Sequence, residues 1–464
     1  MSKKAISITT VVILLILVAV VAPYFIGAKV ETEFREGIAQ AKTEYGYPIE
    51  LTDYERGWLH SHAVTRVQIE DTTFDVEHEI THGPLFVFGW ARIHSALPND
   101  ISPEMAHFFD ESPLVANTKL GFGGGYRIGI QSPAFDKDVP DEPGVHLTWQ
   151  GLKGYYARHD NEVDLQLNGG GLKLDAENRH LVVDDIQVSG DGSAMENIEE
   201  ADAKLDWDSR FEAKLGHYRM YDDAGAFDLA YGMRLHANTA NGDNDTVEFH
   251  AGYDITDLQL KAKPDDGDPI DVSVDQAAIK LGLTGLKAGP LQEAVVALRE
   301  IDPSQHSPER VQALSARVFT ELAPEILAGT PKLSVTIPPV ETGHGEAQGK
   351  VSAGLISNDE LPPEVADMRR RMPVLAMAQR LTLDADVFVD EQLIDWVTKN
   401  LASENPAMAR ELSMQITGMV RQGFLMREDD AVGVRLHAGK DEVVLNGQTI
   451  PARQLQPLFE SLMR

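Results

Sequence analysis

The chain has 464 residues, no cysteine and a formal net charge of −32. Its 43% hydrophobic and 25% charged residues are typical of a globular protein, long enough for two or three domains. Without cysteine, the chain forms no disulfide, thiolate metal site or cysteine nucleophile. A field of this sign repels phosphate backbones, which argues against nucleic-acid binding.

The first feature along the chain is an almost uninterrupted apolar run from Ala5 to Ile26. At about 1.5 Å per residue it gives a helix of roughly 33 Å, enough to cross the hydrocarbon core of a bilayer. Lys3 and Lys4 precede the run, and acidic residues crowd its far end. The positive-inside bias therefore predicts a single-pass membrane protein, with its N-terminus cytoplasmic and its bulk on the other side of the membrane.

A cleaved secretory signal is the alternative for this run, because Val20-Val21-Ala22 fits the small-residue pattern before a cleavage site. The run is longer than the roughly 7–15 apolar residues of a signal core, and Pro23 would follow the cut. These two features favour a retained anchor over residues 1–28, with the lipid bilayer as the partner of residues 5–26.

An amphipathic helix is predicted next, over residues 29–48. Its apolar stripe is formed by Val30, Phe34, Ile38, Ala41 and Tyr45. Such a stripe needs a partner, either the sheet that follows or another copy of the chain. A homo-oligomer is therefore one predicted partner.

From residue 49 to 289 the apolar period changes to two, as in Ala63, Thr65, Val67 and Ile69. The pattern predicts antiparallel hairpins, with one turn at Asn168-Gly169-Gly170-Gly171. Residues 290–464 mix helices and strands, with helices predicted over 290–301, 308–327, 363–380, 406–424 and 451–463 and Asp390 predicted to cap another. The predicted fold class is α+β: an N-terminal transmembrane helix, a large, mainly antiparallel β-sheet domain and a helix-rich C-terminal part.

A literal match to the zinc-peptidase pattern H-E-x-x-H occurs at His78-Glu79-Ile80-Thr81-His82. That chemistry needs a helix, in which both imidazoles share one face. Here Phe74, Val76, His78 and Ile80 alternate with acidic residues, which predicts a strand. In a strand, residues four apart are about 13 Å from each other, too far for one ion. We therefore predict no metal and no cofactor, and keep a periplasmic metal-dependent hydrolase using residues 78–82 as the alternative function.

His60 and His62 share one face of a predicted strand. One alternative is that they meet a cation presented by a neighbouring strand. The favoured interpretation is that they lie on a polar face exposed to water. No serine-hydrolase elbow, phosphate loop or calcium loop is present in the sequence. The sequence therefore offers no catalytic residues.

Several short motifs, taken in order, resemble the YdgA-like family of bacterial inner-membrane-anchored envelope proteins, a family of unknown function. The motif positions are Tyr54, Arg56, Gly57, Trp58, Ser61, His82, Gly83 and Pro84 near the start, and Gln422-Gly423-Phe424 with Asn446 and Gly447 near the end. The resemblance implies a bacterial inner-membrane location, single-pass, with the N-terminus cytoplasmic and the bulk periplasmic. It also implies that His82 lies in a turn at a strand end, and it supplies no catalytic residues.

These positions also have a structural explanation. Gly57 and Gly83 can adopt backbone angles closed to other residues, Pro84 fixes the exit from a strand, and Tyr54 and Trp58 are predicted to be buried. The predicted function is a non-catalytic binding or scaffolding component of the cell envelope, with a lipid or an envelope protein as its ligand.

Overall fold

The structure is a computed structural model. It describes residues 26–43, 46–69, 72–82, 91–121, 124–193, 207–263, 269–299, 308–356, 380–439 and 442–450. Contacts divide the chain into two compact units, unit 1 over Met1–Ala194 and unit 2 over Met195–Arg464. Both are built mainly of antiparallel β-sheet with few helices, which confirms the predicted β-rich class.

Within these ranges, no helix combines the length and the apolar composition that a bilayer crossing requires. Of the predicted anchor, only the last residue of the apolar run, Ile26, and the two residues after it are among the described residues. Of the helix predicted over 363–380, only Arg380 is described, and it lies in a turn. The helix predicted over 451–463 and the motif residues Gly83 and Pro84 also lie outside the described residues.

Unit 1 begins with helix α1, residues 26–43, and contains one further short helix, α2 (Pro103–Phe108), which follows a 3₁₀ turn at Asn99–Ile101. Its strands are β1 (Ile49–Arg56), β2 (His60–Ile69), β3 (Thr72–His82), β4 (Ala91–Ala96), β5 (Val115–Leu120), β6 (Tyr126–Ser132), β7 (Phe135–Asp138), β8 (Val145–Trp149), β9 (Leu152–His159), β10 (Glu162–Ala176) and β11 (Arg179–Ser193).

All strand pairs of unit 1 are antiparallel and run in the order β1–β2–β3–β4–β5–β6–β9–β10–β11. The β7–β8 hairpin pairs with the end of β10. The turn predicted at residues 168–171 is wrong, because β10 runs straight through it. Gly169 still pairs with β9, whereas Leu172 pairs with β8. The glycines therefore mark a change of partner strand.

The core of unit 1 forms where α1 packs on strands β1–β4. Ile26 and Val30 of α1 are 4% and 2% exposed, and they join a cluster with Ala63, Ile80 and Ile93 of the sheet. Phe34 packs against the same cluster. Val30 and Phe34, the first two residues of the predicted apolar stripe, thus pack on the sheet that follows, which is one of the two arrangements that the sequence predicted for them.

The strands of unit 2 are β12 (Ser209–Asp222), β13 (Phe227–Gly242), β14 (Thr246–Ala262), β15 (Ile270–Lys287), β16 (Lys332–Thr342), β17 (Gly345–Leu355), β18 (Leu381–Asp390), β19 (Met426–Glu428), β20 (Ala431–Ala438), β21 (Val443–Leu445) and β22 (Gln448–Ile450). They pair antiparallel in the order β12–β13–β14–β15–β16–β17–β18–β20–β21–β22, with β19 beside the first residues of β20.

In the described part of unit 2, two groups of helices accompany this sheet. The first comprises α3 (Ala288–Arg299), α4 (Pro308–Arg317), a π-helical turn at Val318–Leu322 and α5 (Ala323–Ile326), and the second comprises α6 (Glu391–Glu404) and α7 (Pro406–Arg421). Asp390 precedes α6, but its side chain does not cap the helix. Its carboxylate instead accepts a hydrogen bond from the Glu346 backbone N–H at 2.8 Å, which ties β17 to the start of α6.

Gly27 forms a close contact between α1 and the sheet. A Cβ atom at this position would lie 2.4 Å from Cε1 of the buried His82. We expect Gly27→Ala to destabilise the α1–sheet contact by roughly 2 kcal/mol, because neither the ring nor the helix can move freely. Hydrogen exchange of residues 60–82, followed by mass spectrometry on the full chain, measures the loss of protection.

Gly37 provides the matched control on the same helix, since a Cβ atom there would meet no atom of the sheet within 4 Å. Gly37→Ala should leave protection of residues 60–82 unchanged or raise it, by up to about 1 kcal/mol of helix propensity. Equal effects of the two substitutions would show that the close approach at Gly27 contributes nothing.

Candidate functional site

The H-E-x-x-H segment forms the end of strand β3, as its alternating pattern predicts. His78, Ile80 and His82 are buried on one face, whereas Glu79 is exposed on the other. The two imidazoles bind different hydroxyl groups, and no cluster of three metal-ligating side chains occurs in the described part of the chain. The segment therefore lacks the convergence on one ion that zinc-peptidase chemistry requires.

His78 is held between two hydroxyl groups from neighbouring strands. Its Nε2 is 2.8 Å from Thr65 Oγ1 on β2, and its Nδ1 is 2.7 Å from Ser95 Oγ on β4. The ring of Phe34 from α1 packs edge-on against it, with the centroids 5.2 Å apart. Burial, with a smaller contribution from the nearby His62, lowers the pKa of His78 to about 4. The imidazole is neutral at pH 7.

His82 is the second buried imidazole, only 1% exposed. Its Nδ1 lies 3.5 Å from the Trp58 carbonyl oxygen, a long contact in which only the ring can donate. Its Nε2 then accepts from Ser61 Oγ at 3.1 Å. Burial also lowers the pKa of His82, although the Trp58 carbonyl opposes the shift.

The Ser61–His82 pair has the connectivity of a nucleophile and its base. Ser61 is one of the residues lining a cleft of about 600 Å³, but both side chains of the pair are almost completely buried. Ser61 is 5% exposed, and Gly27 of α1 lies directly against the imidazole. A reacting carbonyl needs space within about 3 Å of the nucleophile. The pair therefore positions α1 on the sheet, and its hydroxyl satisfies a buried imidazole.

The motif residues of the first hairpin meet around this contact. The Arg56 guanidinium pairs with Glu31 of α1 at 3.3 Å. The Tyr54 ring lies 6.0 Å from that of Phe34 and beneath the Arg35 guanidinium, 5.3 Å away. Side chains of β1 thus contact α1 through an ion pair, a ring contact and a cation–π contact, and these contacts hold the helix on the sheet.

Gly57 owes its role to close packing. A Cβ there would lie 2.3 Å from the His60 carbonyl oxygen, and Gly57 does not adopt a left-handed backbone angle. The predicted burial of Trp58 is wrong, because its side chain is 51% exposed and only its carbonyl reaches His82.

Tyr54 carries a buried hydroxyl without a hydrogen-bond partner. Burial raises the pKa of this phenol, and the nearby Ser61 opposes the shift. The Ser61 hydroxyl bonds to His82 Nε2, and no hydrogen bond of acceptable geometry reaches Tyr54. This phenol is the one unsatisfied polar side chain of the described α1–sheet contact.

A cleft of about 600 Å³ opens beside the ends of β1–β3. Its lining includes Glu55, Arg56, His60, His62 and Glu79. His60 is exposed and its Nδ1 is 3.3 Å from Thr81 Oγ1, and His62 lies opposite Glu79 in the strand register. The two histidines thus lie on a polar surface that faces water, as the favoured interpretation of the sequence predicted.

The two C-terminal motif segments also meet. Asn446 Nδ2 donates to the Gly423 carbonyl at 2.8 Å, while its Oδ1 accepts from the Arg435 backbone N–H at 2.9 Å. Asn446 and Gly447 have φ angles of 52° and 79°, which form a hairpin turn between β21 and β22. The sequence predicted this turn, but it predicted a helix after it, whereas the structure has strand β22. The structure joins this turn to the loop after α7.

Sequence reasoning missed the residues that complete the buried layer. Gly27, Thr65 and Ser95 carry no motif, and their roles depend on which residues face them across strands and from α1. The only available signal was the alternation that places Thr65 on the same face as Ala63, opposite the wet histidines.

The family model described as bacterial protein of unknown function (DUF945) matches residues 1–453, so the chain belongs to this family. No curated protein and no solved structure matches the chain.

His78 should make unit 1 sensitive to acid. An unfolded histidine binds its proton near pH 6.5, whereas folded His78 does so only near pH 4, so the unfolded state binds more protons between these values. Stability is therefore fully present above about pH 6.5 and falls by roughly 2–3 kcal/mol toward pH 4. Hydrogen exchange of residues 60–96 against pH, corrected for intrinsic rates, measures this loss.

His78→Gln should reduce the slope of this pH dependence, leaving the part contributed by His82. His60→Gln, which changes an exposed histidine on the opposite face of the neighbouring strand, is the control and should leave the slope unchanged. The same slope in the wild type and in His78→Gln would contradict a neutral, buried His78.

Proposed function

We propose that this DUF945 protein is a membrane-tethered, non-catalytic binding or scaffolding component of the bacterial envelope, which handles lipid or envelope proteins. The proposal includes the assignment to the YdgA-like family, an inner-membrane anchor over residues 5–26 and a periplasmic location. The family match itself carries no biochemical role.

One observation carries the proposal: the apolar run leads without a break into a helix that is packed firmly onto a folded sheet. Ile26, the last residue of the run, is already 4% exposed in the core of unit 1, and Gly27 contacts His82. A flexible linker between anchor and domain would show polar or glycine-rich residues here. The sequence instead continues as α1, so a tether would hold unit 1 close to the bilayer.

The enclosure of the candidate residues supports the non-catalytic part. The Ser61–His82 pair is shielded from solvent, and His78 is neutral with both ring nitrogens bonded to hydroxyl groups. The two-faced strands provide extended surface for a ligand. A homo-oligomer stays a prediction, although Ile26, Val30 and Phe34 already pack on the sheet of their own chain.

The cysteine-free sequence allows a direct test of the tether and its orientation. Ser2→Cys and Lys42→Cys place single thiols on either side of the apolar run, the second on the exposed surface of α1. In cells with a permeabilised outer membrane, an impermeant maleimide should label Lys42→Cys. It should reach Ser2→Cys only after the inner membrane is broken.

Retention is tested on the same material. The wild-type chain should stay in the membrane pellet after an alkaline wash, and its intact mass should include residues 5–26. A mature chain that begins at Pro23 would identify a cleaved signal instead, and labelling of Ser2→Cys in unbroken cells would reverse the orientation. Either result overturns the proposed tether.

A further inference from the structure

One face of the unit 2 sheet carries rows of apolar side chains that cross the strands without interruption. The first row, with one residue in register from each of the nine strands β12–β18, β20 and β21, is Phe211, Ala237, Ala251, Leu281, Val335, Val351, Ala385, Leu436 and Leu445. The second is Phe249, Leu283, Leu333, Ala353, Leu383, Ala438, Val443 and Ile450. We call these two sets the apolar rows.

Large side chains on this face are exposed to a degree unusual for a core-forming surface. Leu281 is 46% exposed and Leu333 is 50% exposed. The same face also presents Leu235, Tyr253 and Ile279, in register with one another and 36–46% exposed. A soluble domain rarely leaves so many adjoining apolar side chains in water unless they bind something.

The opposite face has a different composition. Its row beside Leu281 is Arg210, Asn238, His250, Gly282, Ser334, Ser352, Asp384 and His437. Polar side chains join neighbouring strands on this face: Arg234 forms an ion pair with Asp254 at 3.0 Å, and His437 Nδ1 is hydrogen-bonded to Asp384 Oδ1 at 2.6 Å. This face is polar in composition, although Asp254 and Ser352 on it are each only 3% exposed. The apolar rows differ from it in composition and in the exposure of their large side chains.

The described helices close only the ends of the rows. Trp207 packs on Phe249 with ring centroids 6.2 Å apart, and Leu291 and Val295 of α3 join the same cluster. At the other strand end, Trp396 of α6 stacks on His344 at 4.6 Å. These helices thus border the apolar rows. Between them, Phe211, Leu281 and Val351 of the first row are 39%, 46% and 38% exposed, and the other residues of that row are half-buried.

The chemistry of the rows favours hydrocarbon over a polar ligand. Their side chains have no hydrogen-bond donors or acceptors, and the backbone groups are used in strand pairing. Eight strand spacings of about 4.8 Å make the first row roughly 38 Å long. The acyl chains of one leaflet span about 15 Å, half of the hydrocarbon core, so the row accommodates extended chains end to end.

Charge argues against a second copy of the chain as the cover. Each copy brings a formal charge of −32, and two copies placed face to face would repel each other. An uncharged hydrocarbon chain meets no such repulsion. If the proposed tether holds the protein at the bilayer, phospholipid is the abundant source of such chains.

We propose that the apolar rows of unit 2 bind the acyl chains of phospholipid drawn from the adjacent bilayer. This inference rests on the proposed function, because the tether would place the protein beside its source of lipid. It also names phospholipid acyl chains as the ligand of the proposed binding role.

The test uses the full chain reconstituted into phosphatidylethanolamine–phosphatidylglycerol vesicles that contain a phospholipid with a diazirine in one acyl chain. After irradiation, labelled residues are identified by digestion and mass spectrometry. We expect label within β13–β17 on the apolar face, in addition to residues 5–26. Leu281→Lys and Leu333→Lys should each lower the label on these strands about tenfold, since the substitution costs well over 1.4 kcal/mol in hydrocarbon.

Lys280→Leu is the matched control, because it adds an apolar side chain to the other face of the same strand. It should leave the labelling unchanged, and thermal unfolding checks that all variants fold. The exposure of Leu281 and Leu333 makes a lysine there compatible with folding.

Three results would overturn the proposal. Label that is equal in Leu281→Lys and Lys280→Leu would indicate non-specific adsorption. Unlabelled rows with label on residues 357–379 would assign the cover to the chain itself. Unlabelled rows with a disulfide-linked dimer of Leu281→Cys would assign it to a second copy.

The same experiment separates this inference from the proposed function. Label on residues 5–26 without label on the rows leaves the tether standing and removes the lipid site. Label on the rows without label on residues 5–26 keeps the lipid site and removes the tether.

Discussion

The architecture of unit 1 depends on the close approach of α1 to the sheet at Gly27. Only a residue without a side chain lets the helix lie against the His82 ring, and that approach brings Ile26 and Val30 into the core. This packing buries the imidazoles of His78 and His82. A buried imidazole is stable only if it is neutral and its ring nitrogens form hydrogen bonds. Ser61, Thr65 and Ser95 meet that requirement with hydroxyl groups rather than charges.

This arrangement explains why a segment that matches a metalloprotease motif does not bring its two histidines and its glutamate together. A strand separates residues four apart and sends Glu79 to the opposite face from both histidines. Each imidazole then forms its own hydrogen bonds with the neighbouring strands. A short sequence pattern specifies chemistry only when the backbone conformation brings its members together.

Unit 2 shows the same two-faced construction on a larger scale with a different outcome. In unit 1 a helix covers the apolar face near the first strands, whereas in unit 2 the described helices cover only the ends of the apolar rows. Polar side chains on the far face of unit 2 pair with one another across strands. The extent and exposure of this apolar face are the observations behind the proposed acyl-chain site.

The sequence by itself determined the strands, because alternation of apolar and polar residues is a local property that follows directly from strand geometry. It identified β3 as a strand, the wet face of His60 and His62, and the turn at Asn446-Gly447. It did not determine that β10 continues through the glycines at 169–171, where the partner strand changes, or that Trp58 is exposed. Tertiary structure decided these features, together with the roles of Gly27, Thr65 and Ser95 and the joining of Asn446 to Gly423. Each of these features depends on which residue lies opposite on a strand or helix that is distant in sequence. A local pattern of apolar and polar residues does not specify such long-range pairings.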